Sequence, residues 1–483
     1  MYELLRRGVE RHPERTAIAE PKGEHTYGAL GREVDAFAGA LVDAGLRPGD
    51  PVVIYLAHGS DFARALLAVW RADAVAVPAH KSFVASQLDH LLSDSGAKMV
   101  IAAGLPKGMA VEPGVVVAPD GRSETSIPLP SRAHRDLAAI MYTSGSTGRP
   151  KGILISHDNL VAGSRIVSTY LELTAEDRLL NVLPYCFDYG LNQLLDALRL
   201  GATTAFAKST MPAHVVQALK ETRATVLAGV PPLWVQLASE RSPAFETELP
   251  DLRMITCSGG VFGPSLIEQY QAGWPNVAIH IMYGLSEAFR STHLPPEQLT
   301  QRPRSMGHAI PETEILVVDE AGRPVEPGVE GELVHAGPTV SLGYLDRPEA
   351  QAERFKPHPL RPDEVAVYSG DRVVMDEEGY LYFRGRMDAM IKTSGFRVSP
   401  EEVEDLVRST GLVEEVVARG IPDEALGQAI EIFVIPKEAG LAEGDLLSQV
   451  RRIAPPHLRP KQVSFRDDFP KTASGKIDRK RIA

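Results

Sequence analysis

An α/β fold is predicted: a large N-terminal domain of α/β subdomains that carries a small antiparallel β unit, followed by a small α+β C-terminal domain. Three textures along the chain predict it. Helical and strand-like segments alternate from the N-terminus onward, the pattern turns to hairpins between Glu312 and Gly343, and a compact mixture of strands and helices follows Asp388. Strands alternating with helices imply parallel sheet, because a crossover helix returns the chain to the same end of the sheet. At about 150 residues per domain, a chain of 483 residues holds roughly two to four domains.

The elements follow in order. Thr26 to Val42 reads as an amphipathic helix stopped at Gly45, Pro51 to Leu56 as a buried strand, Asp61 to Arg71 as a helix and Ala74 to Pro78 as a strand. Pro106 to Ser131, rich in Pro, Gly and Ser and without periodicity, reads as a connector to the apolar strand Leu137 to Met141. Further on, Thr225 to Gly229 and Met254 to Thr256 are short strands ending in glycine-rich turns. Glu314 to Asp319, a turn at Ala321 and Gly322, and Gly331 to His335 form a hairpin. Tyr380 to Arg384 alternates as a strand. Ser399, Pro400 and the acids Glu401 and Glu402 open a helix in the order N-cap, first-turn proline and first-turn carboxylates. Strands near Val413 to Ile421 and Ala429 to Pro436 follow, then a helix near Leu446 to Ile453. These textures place the domains at residues 1–387 and 388–483.

Composition narrows the function. Hydrophobic residues make up 44% and charged residues 24%, an ordinary balance for a folded globular chain. With 51 Lys and Arg against 63 Asp and Glu, the net charge of −12 argues against a general nucleic-acid surface. The two cysteines, Cys186 and Cys257, lack the spacing of a disulfide framework or zinc site. No apolar run reaches the length of a membrane span, and the charged N-terminus lacks the apolar core of a signal peptide, so a cytoplasmic enzyme is expected.

The stretch Tyr142 to Gly152 (YTSGSTGRPKG) has the composition of a phosphate cradle. Its glycines let backbone N–H groups converge on an anion, Thr143, Ser144, Ser146 and Thr147 add hydroxyl donors, and Lys151 adds a mobile charge. The spacing differs from that of the P-loop, since no Gly precedes Lys151 and no Ser or Thr follows it, and what comes next is the strand-like Ile153 to Ser156.

Further blocks stand in a fixed order: Met282 to Glu287 (MYGLSE), Gly331 to Leu333 with Gly343 and Tyr344, Tyr368 to Asp371 (YSGD), Gly385 to Asp388 (GRMD) with Lys392 and Gly395, and Pro470 to Arg479 (PKTASGKIDR). On these blocks the chain resembles, over essentially its whole length, the adenylate-forming superfamily of acyl-CoA synthetases, peptide-synthetase adenylation domains and luciferase. The resemblance implies an acid–thiol ligase. A small-molecule carboxylic acid, an amino acid among the candidates, is converted to acyl-AMP with ATP and Mg²⁺. Pyrophosphate is released, and the acyl group passes to the thiol of CoA or of the phosphopantetheine on a carrier protein acting in trans. An acyl-AMP ligase or luciferase-like enzyme without CoA transfer is the alternative, and a phosphate-loop kinase or ATPase the distant one.

The same resemblance assigns residues. Thr143, Ser144, Gly145, Ser146, Thr147, Gly148 and Lys151 would grip the phosphates, and Tyr283 and Gly284 would pack on adenine beside the turn at Gly259. Asp371 would hold the ribose, with Arg386 facing the ribose or the phosphates, Ser286 would touch the α-phosphate, and Glu287 would hold the metal, an oxygen ligand suited to a hard cation. Lys476 would bridge the acid and the α-phosphate, and Asp388 would be the hinge of a mobile C-terminal domain. Asp188, Tyr189, Asn192, Cys257, Met282 and Arg290 would line the acid's pocket. The Phe187–Asp188 pair hints at an amino acid, whereas Gly190 stands where a small hydroxyl residue is usual, and Ile391 to Glu404 looks more like an acyl-CoA synthetase. Arg290 either pairs with Asp188, binds a second acidic group, or lies on the surface.

Overall fold

The computed structural model describes residues 1–21, 23–107, 109, 115–118, 120–130, 136–143, 150–387, 390–438, 440–470 and 482. The chain forms two compact units, Met1–Tyr142 with Gly152–Gly385, and Thr143–Lys151 with Arg386–Ala483.

Two large sheets organise the first unit. In the nine-stranded sheet, Met254–Cys257 pairs in parallel with Val226–Gly229 on one side and Ala278–Tyr283 on the other. Arg178–Asn181, Thr203–Phe206 and Thr16–Glu20 continue the parallel core, and antiparallel strands close both edges, Thr292–Leu294 with His308–Ala309 at one and Gly23–Thr26 at the other. The seven-stranded sheet runs through Pro51–Tyr55, Val75–Pro78, Leu137–Thr143 and Lys151–Ser156 to the short strand Gly343–Tyr344. A continuous apolar core links the helices Tyr27–Asp43 and Ser60–Arg71 to this sheet. Fully burying an aromatic or branched side chain contributes about 1.5–3 kcal/mol, and the polar tips here are also satisfied. Trp70 Nε1 donates to the Ala138 carbonyl (2.9 Å) and the Tyr27 hydroxyl to that of Ala202 (2.7 Å).

Helix starts obey their local chemistry. The Thr26 hydroxyl accepts from the Ala29 N–H, and Ser156 and Asn159 form a reciprocal capping box at the helix His157–Tyr170. The connector expected over Pro106 to Ser131 differs from coil in one respect: Val115–Val117 adds a parallel edge strand to Met99–Ala102. Three successive valines favour the extended pairing, and too short a run carries no period to read. Its later part is pinned, since the Arg71 guanidinium takes the carbonyls of Ile127 (2.9 Å) and Pro128 (2.6 Å).

The hairpin is present as Glu314–Val318 and Glu330–Ala336, antiparallel, with Val365–Met375 beside it in the third sheet. In the second unit, Gly427–Pro436 pairs antiparallel with Val413–Asp423 and parallel with Gln462–Phe465, under the helices Pro400–Ser409 and Glu443–Ile453. Ile391, Val403, Val416, Ile432 and Leu446 form its own core. The last helix starts a turn earlier than its apolar pattern suggests, with Glu443 and Asp445 in the first turn facing the positive helix end. Among the described residues, no helix is long and apolar enough to cross a membrane.

Candidate functional site

The site is assembled around one loop. The strand Ala278–Tyr283 ends at Tyr283, the chain turns through Gly284, and the strand Thr292–Leu294 returns antiparallel, with Ser291 N–H closing on the Tyr283 carbonyl at 2.9 Å. The turn is tight. A Cβ on Gly284 would lie 2.3 Å from the Phe289 carbonyl oxygen, and Phe289 takes a left-handed φ of 63°. Backbone of this shape needs glycine at the point of approach and is costly at Phe289.

Three groups of side chains meet this loop. At its start, the Tyr283 hydroxyl donates to Asp371 Oδ2 (2.5 Å). Asp371 is delivered by a local irregularity: the pairing of Glu330–Ala336 with Val365–Met375 shifts register between Glu332 and Val334, and Gly370 has a φ of 67°. A bulge of this kind re-aims the next side chain. Ser369 locks it, donating to the Leu333 carbonyl (2.7 Å) and accepting from the Asp371 N–H (3.1 Å).

In the middle, Ser286 and Glu287 are half-buried. Glu287 Oε1 accepts from the Tyr344 hydroxyl (2.6 Å), and its carbonyl accepts from the Ser341 N–H (2.9 Å). Tyr344 in turn sits on a strand paired with the one that leaves the phosphate stretch, Tyr344 opposite Ile153 and Gly343 opposite Leu154. Asn159, from the capping box, donates to the carbonyls of Pro338 (3.0 Å) and Val340 (2.8 Å), fixing the segment that carries Ser341. Glu287 is thereby tied to the strand Lys151–Ser156. One oriented carboxylate suits Mg²⁺, which takes one or two protein oxygens and fills its octahedron with phosphate and water. Among the described residues, no cluster of three His, Cys, Asp or Glu side chains forms a closed metal cage.

At its end, Arg290 turns inward and is 2% exposed. Nη1 meets Asp188 Oδ2 at 3.0 Å and the Phe289 carbonyl at 3.0 Å, and the guanidinium lies 4.6 Å over the Tyr189 ring. Of the readings open in sequence, pairing with Asp188 is the one present, and the surface placement is not. Asp188 opens the helix Asp188–Leu200, where the helix N-terminus favours its negative charge. The Tyr189 hydroxyl meets Thr256 Oγ1 (2.5 Å), and burial pushes the phenol well above its ordinary pKa. Met282 accepts at Sδ from the Tyr170 hydroxyl (2.8 Å). Asn192 is fully buried and donates to Asp196 Oδ2 (2.8 Å), while Cys257 is packed in the core beside the turn at Gly259, whose φ is 80°.

Gly190, where a small hydroxyl residue is usual, has a steric cause: a Cβ there would lie 2.4 Å from the carbonyl oxygens of both Leu183 and Pro184. Thr143 and Lys151 end and begin their strands. Ser144, Gly145, Ser146, Thr147, Gly148, Asp388 and Lys476 lie outside the described residues, as does the side chain of Arg386. Tyr170 carries no signal in sequence because its partner Met282 lies 112 residues away, and Asp196 because a carboxylate four residues from Asn192 on an otherwise apolar helix reads as an ordinary polar position. Tyr344 belongs to a quoted block, but nothing local tied it to Glu287.

Residues 5–345 match the AMP-binding enzyme family, and residues 402–476 match the AMP-binding enzyme C-terminal domain. The chain belongs to the AMP-binding enzyme family. This AMP-binding enzyme is 31% identical to a feruloyl-CoA synthase of an Amycolatopsis species, covering 96% of this chain and 94% of that one. It is 29% identical to an oxalate–CoA ligase of Arabidopsis thaliana, covering 99% and 97%. The fold matches that of o-succinylbenzoate CoA synthetase from Bacillus subtilis with a TM-score of 0.90 at 24% identity, over 99% and 97% of the two chains. The enzyme is an AMP-forming ligase that activates a small-molecule carboxylic acid with ATP and passes the acyl group to a thiol.

Proposed function

We propose that the enzyme adenylates its acid at the loop Gly284–Arg290 and transfers the acyl group to CoA. The observation that carries this reading is the order of contacts along that loop: Tyr283 with Asp371, then Glu287 with Tyr344, then Arg290 with Asp188. A nucleoside, a phosphate chain and an acid bound in that order would lie in line for adenylation.

In the first half-reaction, a carboxylate oxygen of the acid bonds to the α-phosphorus of ATP as the bond to pyrophosphate breaks. Tyr283 and Gly284 support the base, Asp371 and Arg386 take the ribose hydroxyls, and residues Thr143 to Gly148 with Lys151 hold the leaving pyrophosphate. Glu287 would hold Mg²⁺, which when bound offsets phosphate charge. Lys476 neutralises the two anions as they approach, and Ser286 donates toward the α-phosphate. In the second, the thiol sulfur attacks the acyl carbonyl carbon, AMP leaves with the electron pair of the broken C–O bond, and the thiol proton passes to solvent.

The domains 1–387 and 388–483 divide this labour, with Asp388 as the pivot that exchanges Lys476 for the thiol. CoA as acceptor is supported by the feruloyl-CoA synthase and oxalate–CoA ligase relatives, while peptide synthetases also stand among the relatives and the phosphopantetheine of a carrier protein presents the same thiol arm. The experiment is pyrophosphate release from ATP on adding acid, followed by thioester formation on adding CoA or a phosphopantetheinylated carrier. Release of ADP and orthophosphate in place of pyrophosphate would overturn the reading.

A further inference from the structure

The buried end of the loop carries more hydrogen-bonding capacity than the protein uses. Arg290 has five N–H donors, and Nη1 serves Asp188 and the Phe289 carbonyl. Nε and Nη2 are buried and find no partner among the described residues. Leaving donors of a charged group unmet costs about 1–3 kcal/mol or more, so a fold keeps them for something that arrives later. These two donors share one edge of the guanidinium, the edge that meets both oxygens of a carboxylate side by side.

The fork is also held rigid. The Tyr189 ring supports one face, and Nη1 lies 3.2 Å from where a Cβ on Gly284 would stand, so no other residue fits there without moving it. Tyr189 is itself anchored to Thr256, and the Tyr170 hydroxyl, which donates to Met282, stands beside the fork and acts on Arg290.

Two guanidinium groups, Arg290 and Arg199, act on Asp196, whose carboxyl burial drives well above its usual range. Arg199 Nε, Asn192 Oδ1 and Asp196 Oδ1 likewise have no partner. Within this buried cluster Asp188 is the carboxylate that meets Arg290. An ammonium group on Asp188 would sit beside the guanidinium already bound there, a like-charge contact that disfavours an amino acid.

We infer that the acid activated here carries a second carboxylate, received by the Nε–Nη2 edge of Arg290. The inference rests on the ligase reading above. Because the guanidinium lies against Gly284, the residue that follows Tyr283, the skeleton between the two carboxylates is short.

The test is pyrophosphate release by the full-length enzyme with ATP, Mg²⁺ and paired acids: oxalate, malonate, methylmalonate and succinate against acetate, propionate, butyrate, ferulate, glycine and aspartate. A short dicarboxylate is expected to exceed each monocarboxylate in kcat/KM by about 10²-fold or more, since a buried donor pair rejects a ligand that leaves it unmet. Arg290→Met should shrink that ratio to a few-fold, mainly through KM, with Arg290→Lys in between. The wild-type ratio needs no variant, so a misfolded Arg290→Met leaves the inference exposed to failure. Equal or better turnover of a monocarboxylate or an amino acid would overturn the inference and leave the ligase reading standing. Failure of every acid to release pyrophosphate would overturn both.

Discussion

The hydroxyl of Tyr283 donates to the carboxylate of Asp371 at 2.5 Å, joining the end of a parallel strand in one sheet to a bulged strand in another. In the proposed site this contact would set the aromatic platform and the ribose acceptor at one spacing before nucleotide arrives. Tyr283→Phe keeps the ring and removes the tie. Its KM for ATP is expected to rise about 10-fold with the KM for the acid unchanged, as measured by pyrophosphate release. An unaltered ATP KM would show that the hydroxyl does not organise this end of the site.

Glu287 is oriented by Tyr344 rather than by a second acid. Glu287→Gln keeps the shape and removes the charge, so the Mg²⁺ concentration giving half-maximal rate should increase about 10-fold or more, with partial recovery at high Mg²⁺. Tyr344→Phe should move the same midpoint less. A Mg²⁺ midpoint indifferent to Glu287→Gln would remove the carboxylate from the metal.

Lys476→Ala should slow adenylation by about 10²–10³-fold, the usual cost of deleting one group that stabilises developing charge. Thioester formation from supplied acyl-adenylate and CoA should be largely spared. Equal loss in both half-reactions, each assayed separately, would sink the assigned role.

Gly190→Ser restores the small hydroxyl residue that the resemblance leads one to expect. Here it should destabilise, by about 1–3 kcal/mol, because the new side chain would meet two backbone carbonyls that have little room to move. A melting temperature equal to that of the natural enzyme would contradict the steric explanation.

Glu402 provides a pH test in the C-terminal unit. It is buried on the helix Pro400–Ser409, Oε2 has no hydrogen-bond partner among the described residues, and desolvation raises its carboxyl pKa to about 7. A folded-state pKa above the unfolded value means that the native state holds the proton more tightly. Stability is therefore lost as pH rises from the ordinary carboxylate range to about 7, at up to about 1.4 kcal/mol per unit, and the penalty then stays constant. Glu402→Gln should melt close to the natural enzyme at pH 4 and clearly above it at pH 8. The opposite ordering would show that the carboxylate is stabilised when ionised.

The sequence by itself determined the α/β class, the order of most elements and the chemistry of adenylation, because these are written locally. Strand–helix alternation, the hairpin turn at Ala321 and Gly322, and the runs around Tyr142, Tyr283, Asp371 and Lys476 each lie within a dozen residues. Tertiary structure decided the contacts that cross long sequence separations. Arg290 and Asp188 are 102 residues apart, Tyr344 and Glu287 are 57 apart, and neither pairing leaves a periodic trace in the chain. Sequence left Arg290 open between pairing with Asp188, binding a second acidic group and the surface; packing against Tyr189 and Gly284 removed the surface reading by burying the guanidinium. Gly190 looked like a missing hydroxyl until the carbonyls of Leu183 and Pro184 showed that backbone proximity fixes it. Local pattern carries which chemistry is present, while the fold brings distant charges together in a low-dielectric interior where an unmet donor has to find a partner.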